Sequence, residues 1–99
     1  MNLSINKNLY KDIIRSTSHI NSKNINLKFC YSNHSKIGFI LPSSLGPAHE
    51  RNLFKRRCRS SFVNKNKINK NMAVLVKPKT LNLQFNEIDW VFTELYSKF

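Results

Sequence analysis

The residues best suited to chemistry in this 99-residue chain lie in one stretch, HERNLFKRRCRSSF, from His49 to Phe62. It holds five cations, Arg51, Lys55, Arg56, Arg57 and Arg59, against one acid, Glu50. Wound as an α-helix at about 100° per residue, Arg51, Asn52, Lys55, Arg56 and Arg59 fall within a sector of about 140°. Phe54, Cys58, Ser61 and Phe62 fall on the other flank, a face for a core. Like charges four residues apart repel by roughly 0.2–0.5 kcal/mol per pair. A helix serving structure alone more often interleaves acids there. The row suits phosphate instead, because guanidinium stays charged and bonds phosphate oxygens in pairs. From charge alone, a solvated basic face remains the alternative.

Little else in the chain is equipped to act on a substrate. There are five carboxylates, Asp12, Glu50, Glu87, Asp89 and Glu94, three of them near the C-terminal end. No paired Asp/Glu constellation, histidine base or metal-ligand spacing stands out. Cys30 and Cys58 are isolated, and His19, His34 and His49 are scattered, which argues against a zinc site. Two buried thiols in a reducing cytosol is the simpler reading. The expectation is therefore no catalytic residue, no metal ligand and no cofactor bound by the protein alone.

The net charge of +12 is unevenly spread: residues 1–36 carry +5, residues 37–71 carry +7 and residues 72–99 carry zero. A patch of this kind attracts nucleic acid or an anionic membrane. No segment has the Trp/Leu-faced pattern of a membrane-surface helix, so nucleic acid is favoured. There is no apolar run of about 18 residues to span a bilayer. The first twenty residues lack the apolar core of a secretory signal.

The elements that must position these residues follow from periodicity. Asn8–Ser16 reads as a short helix capped by Asn8. Residues 17–24 suit a loop or a short edge strand. Ile25–Tyr31 alternates as a half-buried strand, and after the turn SNHS, Lys36–Leu41 reads as the second strand of a hairpin. PSSLGP breaks the pattern. Ala48–Val63 is the basic helix, and NKNKINKN a basic loop. Met72–Val76 is a short apolar strand, expected to be central. The last segment places Ile88, Val91, Phe92, Leu95, Tyr96 and Phe99 on one helical face, with Asn86 as its cap. Phe54, Phe62, Trp90 and Phe92 are expected in the core. The order fits a single α+β domain over residues 1–99, a small sandwich of helices on one sheet.

The stretch AHERNLFKRRCRSSF resembles the arginine-rich helix of the bacterial ribonuclease P protein component. The family's Arg-Asn pair, Lys-Arg pair and following Arg match Arg51, Asn52, Lys55, Arg56 and Arg59. KIGFIL, MAVLVKP and NLYKDIIRS resemble the flanking strands and first helix, in the family's order. Three positions depart from its pattern. Leu53 stands where a third Arg is usual, Arg57 where an apolar residue is usual, and Ser43 and Ser44 near a usual Lys pair. One way to reconcile the first two is a charge moved one turn along the helix, with Leu53 taking the apolar place.

The resemblance implies a mainly antiparallel sheet with three helices, similar to the second domain of ribosomal protein S5. It implies the protein subunit of a bacterial, cytoplasmic ribonucleoprotein endonuclease that removes the 5′ leader of precursor tRNA. The active site and its Mg2+ ions would lie on a catalytic RNA, bound by one protein per RNA. Arg51, Asn52, Lys55, Arg56, Arg57 and Arg59 would contact that RNA. Tyr10, Ile14, Lys28, Phe29, Tyr31, Lys36 and Lys77 are candidates for the leader, Phe29 equally for the core. No membrane or DNA partner is implied. The rivals are a non-catalytic basic RNA-binding protein of the ribosome type, a helix-turn-helix DNA binder and a protein-only nuclease. The second lacks the two helices joined by a tight turn that its fold needs.

Overall fold

A computed structural model of the chain describes residues 4–16, 18–66, 71–83 and 85–98. The elements run α1 (Lys7–Arg15), β1 (His19–Asn21), β2 (Ile25–Tyr31), β3 (Lys36–Phe39), a 3-10 turn (Ser43–Leu45), α2 (Ala48–Asn64), β4 (Met72–Pro78) and α3 (Phe85–Ser97). The expected basic loop falls partly on residues 67–70, and the last apolar position of α3 on Phe99; both lie outside the described residues.

The four strands form one sheet in the order β1-β2-β4-β3. β1 pairs with β2, and β2 with β4, antiparallel; β3 runs parallel to β4. β2 and β3 are therefore not a hairpin, as the turn SNHS suggests, because β4 is inserted between them. The composition of β4 explains this. Met72, Ala73, Val74, Leu75 and Val76 are all buried, so the strand is apolar on both faces and must be covered on both. A strand of that kind takes the middle of a sheet.

The helices divide between the two faces of the sheet. On one face Leu27, Phe29, Ile37, Val74 and Val76 pack with Phe54, Cys58 and Phe62 of α2 and with Ile88, Val91, Phe92 and Leu95 of α3. On the other, Ala73 and Leu75 meet Ile13 of α1, with Leu9 and Ile5 partly buried beside them. α1 is capped by Asn6, not Asn8: Asn6 Oδ1 accepts from the Leu9 amide at 2.8 Å. Asn86 lies inside the first turn of α3, which already includes Phe85.

Two bonds clamp α2 to α3. The Ser61 hydroxyl donates to Asp89 Oδ1, and the Tyr96 hydroxyl donates to the Phe62 carbonyl at 2.6 Å. The Phe62 ring lies 6.1 Å from Phe92 and stacks on Tyr96 at 6.2 Å. Trp90 is not a core residue: it is 51% exposed. It stands about 200° round the helix from Ile88, opposite the apolar stripe.

Candidate nucleic-acid interface

The basic helix follows β3 through the 3-10 turn and starts after Pro47, whose carbonyl accepts from the Glu50 and Arg51 amides. Pro47 is the N-cap residue, with no side-chain cap. Glu50 sits in the first turn, where the helix dipole favours an acid. Burial of Phe54, Cys58, Ser61 and Phe62 fixes the rotation of the helix. The opposite flank is thereby turned outward. Asn52, Arg56 and Arg59 are exposed, while Arg51 and Lys55 are half-buried.

Arg59 is held by more than its backbone. Its guanidinium carbon lies 5.5 Å from the centre of the Phe39 ring, within cation–π range. Phe39 in turn meets Phe54 edge-on at 6.3 Å, which ties the end of the basic row to the sheet. Leu53 and Arg57 lie along another flank. Both line a groove of about 260 Å3 with Glu50, Phe54, Leu81 and Asn82. Leu53 does not enter the core; it stays exposed, and Arg57 beside it is half-buried.

A second surface lies on the opposite face of the sheet, at the C-terminal end of α1. A cleft of about 390 Å3 opens there, and Ile14, Lys28 and Lys77 line it together with Asn26, Leu75 and Ile40. Strand alternation puts Asn26, Lys28, Leu75 and Lys77 on this face, since Asn26 pairs with Lys77 and Lys28 with Leu75. The Lys28 ammonium donates to the Ile14 carbonyl at 3.0 Å, so it also caps the end of α1. His19 and Asn21 of β1 close the far side.

The other leader candidates go elsewhere. Phe29 faces the opposite side of the sheet, inside the main core, at 8% exposure. Tyr31 shares that parity at the end of β2 and is exposed. Lys36 pairs with Ala73 at the far end of β3 and does not line the cleft. Tyr10, one turn from Ile14, opens onto a separate groove over β3 with Lys55 and Arg59. Asn26, His19 and Asn21 line the cleft although their residue types alone do not mark them as site residues. The parity that places Lys28 on this face also marks Asn26. His19 needed the β1–β2 pairing, which sets it opposite Lys28.

Two shielded polar atoms have no hydrogen-bond partner among the described residues: Arg51 Nε on the basic helix and Asn26 Oδ1 in the cleft. Each belongs to one of the two surfaces. The thiols are unsuited to nucleophilic work. Burial pushes the Cys58 thiol far up against the opposing charge of Arg59, and burial followed by the Asp12 charge raises Cys30. Among the described residues, no group of three His, Cys, Asp or Glu is placed to hold a metal ion. No helix among them is long and apolar enough to cross a membrane.

Comparison with known proteins agrees with this architecture. Residues 4–99 match the family model described as Ribonuclease P. The chain is similar in structure to the RNase P protein of Staphylococcus aureus, with a TM-score of 0.75 and 19% identity, covering 99% of this chain and 94% of that one. It is also similar to the RNase P protein of Thermotoga maritima, with a TM-score of 0.73 and 20% identity, covering 91% of this chain and 90% of that one. At such identities these likenesses bear on the fold. No curated protein matches the chain.

Proposed function

The chain belongs to the ribonuclease P protein family, and from that premise we propose that it is the protein subunit of a ribonucleoprotein that removes the 5′ leader of precursor tRNA. In this reading the outer flank of α2 binds the catalytic RNA. Arg51, Lys55, Arg56 and Arg59 bond phosphate oxygens, Asn52 adds a hydrogen bond, and Arg57 reaches the RNA from the neighbouring groove. The cleft beneath α1 takes the single-stranded leader, with Lys28 and Lys77 neutralising its phosphates and Ile14 offering apolar surface. Hydrolysis and its Mg2+ ions belong to the RNA. The protein lowers the repulsion between two polyanions, substrate and catalyst.

The observation that carries this reading is the rotation of α2. Its buried Phe54, Cys58 and Phe62 leave Asn52, Arg56 and Arg59 exposed on the opposite flank, with Arg51 and Lys55 half-buried beside them, on a chain of this family. The test adds purified protein to a bacterial ribonuclease P RNA at low magnesium with precursor tRNA. Stimulated release of the leader is expected. Binding without stimulation would favour a structural RNA-binding protein of the ribosome type. Cleavage by the protein with no RNA subunit present would overturn the assignment of chemistry to RNA.

A further inference from the structure

Glu50, Leu53, Phe54 and Arg57 stand at i, i+3, i+4 and i+7 on α2, so they share one flank of the helix. That flank faces Leu81 and Asn82, from the segment after β4, across the groove of about 260 Å3. The segment is pinned in place. The Lys79 amide donates to the Asn24 carbonyl at 2.7 Å, and the Asn82 amide donates to Thr80 Oγ1 at 3.2 Å. Gly46 shapes the end of the groove. A Cβ there would come within 2.9 Å of Glu50 Oε2 and 3.2 Å of Leu81 Cδ1, so the absence of a side chain lets the carboxylate and the leucine approach each other.

The two charges in this lining select different parts of a ligand. Arg57 draws an anion, whereas Glu50 repels phosphate and accepts from N–H donors. The helix dipole accounts for an acid in the first turn, but it does not require that acid to line a groove beside Leu53 and Leu81. A lysine or arginine side chain from another protein would suit Glu50 and be repelled by Arg57. A free amino acid carries its donor and its anion on one carbon, while Glu50 and Arg57 are two turns apart, about 10.5 Å along the helix axis. A nucleotide separates its base edge from its phosphate by a ring and a sugar. Guanine alone among the bases sets two N–H donors, at N1 and N2, side by side for the two oxygens of one carboxylate. Leu53 and Leu81 offer apolar surface to the faces of such a base. The volume is just below the roughly 300–1,000 Å3 of drug-sized sites, room for one base and not for several.

We propose that this groove binds one unpaired guanine nucleotide, its N1–H and N2–H donating to Glu50 and its phosphate held by Arg57. The site lies on a different flank of α2 from the row Arg51, Lys55, Arg56 and Arg59, and on the opposite face of the sheet from the cleft under α1. The guanine is either a base of the catalytic RNA, in which case the site rests on the proposed role in ribonuclease P, or a free nucleotide, in which case it stands without that role.

The full-length chain is tested with GMP and AMP by equilibrium dialysis and with the catalytic RNA by fluorescence anisotropy, in wild type and in Glu50→Gln. One bidentate base contact discriminates by roughly five- to 150-fold. For a free nucleotide, wild type prefers GMP over AMP by that factor, Glu50→Gln loses the preference, and the assembled complex binds GMP as the free chain does. For a base of the catalytic RNA, Glu50→Gln weakens RNA binding by the same factor and leaves the salt slope unchanged, because no phosphate contact is lost. The sign separates this from simple electrostatics: with no base at Glu50, removing a carboxylate from a basic surface tightens RNA binding or leaves it alone. In wild type, RNA carrying 6-thioguanosine then cross-links to the Leu81–Asn82 peptide, a readout independent of how the variant folds. No preference for GMP, together with RNA affinity that Glu50→Gln does not weaken and no such cross-link, overturns the site while leaving the function standing. A chain that selects GMP yet neither binds the catalytic RNA nor stimulates cleavage keeps the site and overturns the function.

Discussion

Replacing Arg56 by Ala tests the electrostatic argument most directly, because Arg56 is exposed on α2 and takes no part in the core. Four cations, Arg51, Lys55, Arg56 and Arg59, share the outward sector of the helix, while Arg57 lies in the groove beside Glu50. Each phosphate neutralised contributes about −0.7 to −0.9 to the slope of log affinity against log salt. The four contacts of that row contribute about −2.8 to −3.6 to the slope for binding the catalytic RNA, and Arg57 adds to it. Raising salt from about 50 to 200 mM should therefore weaken binding by at least roughly 50- to 150-fold. In Arg56→Ala the slope should become shallower by about 0.7–0.9, with thermal stability unchanged. Fluorescence anisotropy with labelled catalytic RNA over a salt series measures both slopes. A wild-type slope shallower than about −1.5, or one that Arg56→Ala leaves alone, would refute the argument that the row binds phosphate.

Three further outcomes are expected. Leu53 and Arg57 line one groove a turn apart, so exchanging them as Leu53→Arg with Arg57→Leu should retain RNA affinity within about threefold; a large loss in the double variant would show that the cation must stand at position 57. Phe62 is 2% exposed between Phe92 and Tyr96, so Phe62→Ala should cost about 3–5 kcal/mol in denaturant unfolding, and a cost below about 1 kcal/mol would mean that the α2–α3 seam repacks. Both thiols have raised pKa values, Cys58 by far the more. At pH 8 an alkylating reagent should therefore modify Cys30 first, slower than a free thiol, and reach Cys58 only on unfolding; mass-spectrometric detection of early Cys58 labelling would contradict its burial.

Much of this was legible in the sequence where one residue type repeats with one period. The alternation of Ile25, Leu27 and Phe29 gives β2 and its faces. The stripe from Ile88 to Tyr96 gives α3. The outward row of α2 follows from the spacing of its cations and phenylalanines. What stayed hidden depends on long-range pairing. Lys36–Phe39 is a strand, as its residues indicate, but its partner is set by how β4 buries two faces at once. The face that α1 covers is likewise set by Ala73 and Leu75, some sixty residues away. Phe29 and Lys28 are adjacent, yet only the assembled sheet decides which of them meets the cleft. Trp90 departs from its expected place in the core for a different reason: its angular position around α3 excludes it.

The position of β4 has a temporal side. Ribosomes deliver the chain from the N-terminal end, and the strand at the middle of the sheet is the last of the four to be made. Until residues 72–78 emerge, β3 has no strand to pair with, and β2 has only three-residue β1 along one edge. The cationic helix is thus synthesised before the surface that orients it. Completing the sheet joins Ile25 to Pro78, a sequence-distant closure that slows folding relative to local hairpins. The nascent chain therefore passes through an interval in which a basic segment is present without the strand and the helix α3 that hold it.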